Sequence, residues 1–96
     1  MLRTRAAEAR RRRLKKYDLE PRDFERMLNE QGGVCAVCQQ VESVTQGGEV
    51  QSLSVDHDHE TGRVRGLLCS RCNASLGLLR EDPAVIMRLA LYAARA

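Results

Sequence analysis

Apolar positions are sparse along this chain and fall into short clusters. Residues 2–16 contain no glycine or proline and are rich in Ala, Arg and Glu, residue types that favour helix. Few apolar residues punctuate that stretch, which predicts an exposed helix. Tyr17-Asp18-Leu19-Glu20-Pro21 reads as a break, and Pro21 suits the first turn of a second helix. Phe24, Met27 and Leu28, at i, i+3 and i+4, give that helix its buried stripe, and Gly32-Gly33 ends it. Residues 34–40 form a tight turn. Residues 42–49 are polar and close on Gly47-Gly48, a loop or hairpin tip. Leu53, Val55 and then Val64 predict two short strands around a turn at Glu60-Thr61-Gly62. A helix is expected from Ser70 to about Arg80. Asp82 as N-cap and Pro83 at the first position open a last helix. Its stripe of Val85, Leu89 and Tyr92 is expected in the core, with a dimer contact as the alternative. No internal repeat is present.

Composition makes such a core marginal. The 96 residues suffice for one domain, and the only aromatics are Phe24, Tyr17 and Tyr92. Small domains of this kind often need a staple such as a metal or disulfides. No run approaches the roughly 18 apolar residues of a membrane helix, and no apolar stretch follows the basic N-terminus as in a secretory signal. An intracellular, cytoplasmic protein is expected.

The net charge of +3 hides an asymmetry: residues 1–16 carry eight Lys/Arg against one acid, Glu8, and the remainder eight against twelve acids. Arg10, Arg11, Arg12, Arg13, Lys15 and Lys16 form a block that suits a polyanion, foremost DNA; a solvated, arginine-rich helix is the plain alternative. The expected organisation is a basic helix or arm over 1–16, ordered alone or on DNA, and a single stapled domain over 17–96.

The cysteines supply the staple. Cys35 and Cys38 form one C-x₂-C pair, Cys69 and Cys72 the other, with thirty residues between them. Two such turns complete a sulfur tetrahedron around Zn²⁺. Disulfides are disfavoured without a secretion signal. The usual separation of the pairs is about 15–20 residues, so a segment has been inserted here. Both histidines lie in it, within Asp56-His57-Asp58-His59. If residues 53–56 are a strand, alternation puts Asp56 and Asp58 on one face and His57 and His59 on the other, loosened by any turn after His59. Asn73 follows the last cysteine, so the zinc knuckle holds it in place. A carboxylate, an amide oxygen and an imidazole held together could bind a hard divalent cation and activate water. An ordinary surface cluster, or a histidine replacing one cysteine on zinc, is the alternative.

The run from Val55 to Asn73, VDHDHETGRVRGLLCSRCN, together with Gln31-Gly32-Gly33-Val34-Cys35-Ala36-Val37-Cys38, closely resembles the recombination endonuclease VII family of phages, within the HNH or ββα-metal nucleases. The resemblance covers roughly residues 17–80. It implies a small α+β fold in which a ββα-metal motif is stapled by a four-cysteine zinc site and flanked by N- and C-terminal helices. It implies a metal-dependent DNA endonuclease, nicking, cutting both strands or resolving branched DNA, phage-encoded and acting in a bacterial host. Asp56 and Asn73 match the family's Mg²⁺ ligands (Mn²⁺ serving equally), His57 its general base, and His59 a second histidine at the scissile phosphate or metal. Arg63, Arg65 and Arg71 lie near the motif, where they can meet DNA phosphates or serve as plain surface charge. The best-characterised branch carries an acid three positions after the catalytic asparagine; Leu76 stands there in this chain. That branch resolves junctions as a dimer and carries a further C-terminal extension; either a monomer or a homodimer fits here. The competing reading is a zinc-stapled DNA-binding or assembly module, non-catalytic or active only beside a larger phage protein.

Overall fold

The computed structural model describes residues 5–96, without the side chains of residues 5–7 and of Arg10; residues 2–4 of the predicted first helix lie outside the described residues. In chain order the elements are α1 (Arg5–Lys15), α2 (Pro21–Glu30), β1 (Thr45–Gln46), β2 (Glu49–Val50), β3 (Ser54–His57), β4 (Val64–Leu68), α3 (Ser70–Leu78) and α4 (Pro83–Ala93). β1 with β2 and β3 with β4 make two antiparallel two-stranded sheets. This is a small α+β fold in which the β3–β4 hairpin runs directly into α3.

Helix α1 ends where Tyr17 and Leu19 amides both turn back to the Leu14 carbonyl. Leu14 itself is buried, so the basic helix is anchored to the body through Leu14 rather than wholly exposed. Helix α2 starts as its sequence demands: Pro21 occupies the first turn, and the Asp23 carboxylate accepts the Glu20 amide at 2.8 Å. Phe24 is buried on its inner face, with Met27 and Leu28 packed beside it.

Among the described residues the buried core comprises Leu14, Phe24, Cys35, Leu53, Leu67, Leu68 and Cys69. Two of these seven are cysteines of the paired knuckles, so the staple and the core are one structure. Gln31 ties the pieces together, donating to the Val34 and Leu67 carbonyls at 2.8 and 3.0 Å and accepting the Leu67 amide at 2.9 Å. The Ala36 amide bonds the same Leu67 carbonyl. The first knuckle therefore docks on the edge of β4.

Three expectations are corrected. Asp58 does not continue the strand alternation: β3 ends at His57, and the Asp58 carboxylate instead accepts the Glu60 and Thr61 amides in the hairpin turn. Helix α3 stops at Leu78, because Arg80 and Glu81 take left-handed backbone angles. The stripe of α4 is not core. None of its residues is buried, and Leu89 and Tyr92 are 49% and 65% exposed. The radius of gyration, 15.1 Å, exceeds the roughly 12.5 Å of a compact chain this long, as expected when a helix is not folded onto the body. Asp82 does cap α4, accepting the Ala84 amide at 3.0 Å. No helix among the described residues is long and apolar enough to cross a membrane.

Candidate functional site

The Sγ atoms of Cys35, Cys38, Cys69 and Cys72 all lie within 4.8 Å of one another. A tetrahedral Zn²⁺ with bonds of about 2.3 Å separates its sulfurs by about 3.8 Å, and Cys38 and Cys69 stand 3.7 Å apart. The donor set and its spacing fit structural zinc. Neither histidine belongs to this cluster.

Electrostatics prepare the cluster unevenly. Burial pushes the Cys35 thiol up, but amides around it, Cys69, Cys38 and Val37 among them, outweigh that and bring it down to about 6. Burial, hydrogen bonds to the neighbouring sulfurs and the Cys35 charge push Cys72 up to about 12. Four crowded sulfurs ionise together only around a cation. The Arg71 guanidinium rests against the Cys69 and Cys38 sulfurs, which hold its proton more tightly than usual.

The second knuckle is braced by a residue that its sequence context hides. Glu42, in the polar stretch expected to be loop, is only 7% exposed. One carboxylate oxygen accepts the Val44 amide at 3.0 Å, and the other accepts the Ser70 amide at 2.6 Å and the Ser70 hydroxyl at 3.2 Å. It thus satisfies the free amide at the start of α3, next to Cys69. Burial opposes its ionisation, but these three donors outweigh burial and hold the carboxyl below the usual range.

Asp56, His57 and His59 gather at the far end of the hairpin. Asp56 pairs with Gly66 and His57 with Val64, which leaves Arg65 as an extra residue on β4. Such a bulge re-aims a side chain. In a regular ladder Arg65, next to Gly66, would point away from the face of Asp56. Here its guanidinium grips both Asp56 oxygens, Nε to Oδ2 at 2.7 Å and Nη2 to Oδ1 at 3.0 Å, and reaches the His57 carbonyl at 3.2 Å. Asp56 is 8% exposed. The His57 ring lies between Tyr17, with centroids 4.8 Å apart, and His59, stacked at 4.7 Å.

Glu81 closes the group: its Oε1 accepts Arg65 Nη2 at 2.5 Å and its Oε2 lies 2.9 Å from His59 Nε2. The Arg65 guanidinium, bonded first to Asp56 and then to Glu81, holds its proton well above the usual range. The Asp58 carboxyl, which accepts the Thr61 and Glu60 amides and sits in the field of Arg65, is lowered.

Asn73 stands in the first turn of α3, its amide bonded to the Cys69 carbonyl at 2.9 Å. It lines a cavity of about 340 Å³ whose floor includes Leu14 and Phe24 and whose rim carries Arg13, Lys16 and Tyr17. Tyr17 is therefore common to the His57 stack and the Asn73 cavity. Arg11, Arg12, Arg13, Lys15 and Lys16 are exposed on and just beyond α1, and Arg63 is exposed beside the hairpin turn; the Arg10 side chain lies outside the described residues. Arg65 and Arg71 are engaged by carboxylates and by sulfur respectively.

Sequence reasoning missed Tyr17, Glu42 and Glu81 as members of this region. Tyr17 offered a faint signal, being one of two tyrosines and adjoining the basic block. The two glutamates offered none, since Glu42 reaches Ser70, and Glu81 reaches Arg65 and His59, only across the folded chain.

A protein-family model described as recombination endonuclease VII matches residues 10–95. Gene 59 protein of Mycobacterium phage L5 is 42% identical over 66 residues, covering 68% of this chain and 37% of that protein. Gene 59 protein of Mycobacterium phage D29 is 39% identical over 77 residues, covering 79% of this chain and 44% of that protein. The chain spans less than half the length of these curated relatives. No solved structure matches it. With the family model matched across nearly all of the chain, on a fold of hairpin and helix joined by four clustered cysteines, the chain belongs to the recombination endonuclease VII family.

Proposed function

We propose that the chain is an HNH-type DNA endonuclease that hydrolyses phosphodiester bonds with a divalent cation. The observation that carries this reading is the grouping at the end of β3. An imidazole held between two rings, His57, adjoins a nearly buried carboxylate, Asp56, beside a cavity rimmed by cations and Asn73. The oxygen donors of Asp56 and Asn73 suit Mg²⁺ or Mn²⁺, as thiolates suit zinc. Each Asp56 oxygen that accepts from Arg65 keeps a second lone pair, so this carboxylate can still take a hard cation. When bound there, the cation supplies charge stabilisation at the scissile phosphate and its leaving oxygen.

The remaining work belongs to side chains. His57 accepts the proton of the attacking water, as imidazole does near neutral pH. Ring contacts with Tyr17 and His59 favour one orientation of its imidazole. His59 presents a second imidazole toward the phosphate. Arg63 and the cations of residues 10–16 neutralise phosphates and give affinity without sequence preference. In this reading residues 1–16 are a DNA-binding arm anchored by Leu14, residues 17–96 are the nuclease domain, and the enzyme acts on DNA in the cytoplasm of a phage-infected bacterium.

The test is nicking of supercoiled plasmid by the zinc-loaded protein with Mg²⁺ or Mn²⁺. His57→Ala should lower the rate by roughly 10²- to 10⁴-fold, the usual worth of a general base, with zinc content and circular dichroism unchanged. Undiminished cleavage by that variant refutes the assignment.

A further inference from the structure

The junction between α3 and α4 delivers a carboxylate to the hairpin from outside the recognised motif. Arg80 and Glu81 both sit in the left-handed region, with φ of 56° and 54°, where a side chain with a Cβ is disfavoured. Three backbone bonds hold this turn: Arg80 N–H to the Gly77 carbonyl, Glu81 to Leu76 and Asp82 to Leu79. The turn fixes where the Glu81 side chain starts, and both of its oxygens are used. One holds Arg65, which grips Asp56; the other meets His59, which stacks on His57. A single carboxylate thus touches the partners of both an acid and a base of the site.

Charge gives this arrangement a purpose. Arg65 paired with Asp56 alone would form a neutral couple, a poor place for a divalent cation. With Glu81 sharing the same guanidinium, the three side chains carry a net negative charge at neutral pH. Glu81 Oε2 lies 2.9 Å from His59 Nε2; a carboxylate oxygen that close favours a proton on that nitrogen, the Nε2 tautomer of neutral His59, and keeps the ring in its place beside His57.

We infer that Glu81 is a positioning residue of the nuclease centre: it orients His59, and through it the His57 ring, and it keeps the Asp56–Arg65 pair anionic enough to hold the cation. The inference rests on the endonuclease reading of Asp56 and His57. Asp56 and Arg65 lie 9 residues apart in β3 and β4, and Glu81 lies 16 residues beyond Arg65.

The test compares zinc-loaded wild type, Glu81→Gln and Glu81→Ala. Glu81→Gln keeps the shape and one acceptor oxygen, so it must either release Arg65 or face His59 Nε2 with an NH₂ donor, which reverses the tautomer preference, and it stands as the test even if Glu81→Ala folds poorly. Three readouts are taken: ¹⁵N shifts of the His59 ring without added Mg²⁺ or Mn²⁺, Mn²⁺ binding by water-proton relaxation, and plasmid cleavage. The expected result is a changed His59 tautomer pattern and a loss of roughly 10- to 100-fold in Mn²⁺ affinity and in kcat, with KM for DNA and zinc content held. Wild-type ¹⁵N shifts and Mn²⁺ affinity in both variants overturn the inference. If wild type itself fails to cleave, the endonuclease reading fails, while the ¹⁵N and Mn²⁺ comparison still decides for or against Glu81.

Discussion

Replacing Glu42 by glutamine should loosen the second zinc knuckle without touching a sulfur. The carboxylate serves three donors: the Val44 amide through one oxygen, and the Ser70 amide and hydroxyl through the other. Glutamine has a single acceptor oxygen. If that oxygen stays with Ser70, the new NH₂ group faces the Val44 amide, donor against donor. The Val44 amide is only part-buried, its residue being 41% exposed, so orphaning it costs about 1 kcal/mol, the low end for such a group, and losing the charge from the remaining bonds costs about 1 kcal/mol more. Removing a negative charge from the start of α3 adds a few tenths of a kcal/mol. The expected destabilisation is about 2 kcal/mol, a large fraction of a small domain's stability. Urea unfolding at pH 7.5 with zinc in slight excess measures it, with Ser43→Ala, an exposed neighbour, as control.

The pH dependence carries a sign. The Glu42 carboxyl is lowered in the fold, so its contribution is complete above its ordinary unfolded value and is lost only as pH falls through the depressed one. Between pH 6 and 8 the gap between wild type and Glu42→Gln should therefore be flat. A variant within about 0.5 kcal/mol of wild type, the scatter of ordinary surface changes, would refute the reasoning. So would a gap that varies across that window.

Three further outcomes are expected. Chelation of zinc should abolish the helical circular dichroism, since Cys35 and Cys69 are core residues and such sites contribute about 10–16 kcal/mol. Because burial and the neighbouring sulfurs push Cys72 up to about 12, zinc uptake should release protons and its affinity should rise with pH, as calorimetry in buffers of different ionisation enthalpy will read. A folded chelated chain would overturn the stapling account. Substituting glutamine for Arg11, Arg12, Arg13, Lys15 and Lys16 should weaken duplex binding and flatten its salt dependence, by about 0.9 in the log–log slope for each phosphate no longer neutralised. An unchanged slope places the DNA-binding surface elsewhere.

Local rules made much of this molecule legible. Pro21 and Asp82 mark helix starts because a proline and a capping carboxylate act on their immediate neighbours. The cysteine pairs announce a metal because two-residue spacing places both thiolates on one turn. The hairpin turn at Glu60-Thr61-Gly62 follows likewise, with Gly62 at a φ of +77°. The α4 stripe misleads for the complementary reason: periodicity reveals an apolar face but not what covers it, and nothing in the described residues buries it. Long-range partners leave no trace in sequence. Glu42 reaches Ser70 across 28 positions, Gln31 reaches Leu67 across 36, and a single extra residue on β4 turns Arg65 onto Asp56. The motif thus states which groups carry chemistry. Which carboxylate braces the knuckle, which guanidinium holds Asp56 and which acid holds His59 follow from the packing, because hydrogen-bond geometry depends on distance in space and not along the chain.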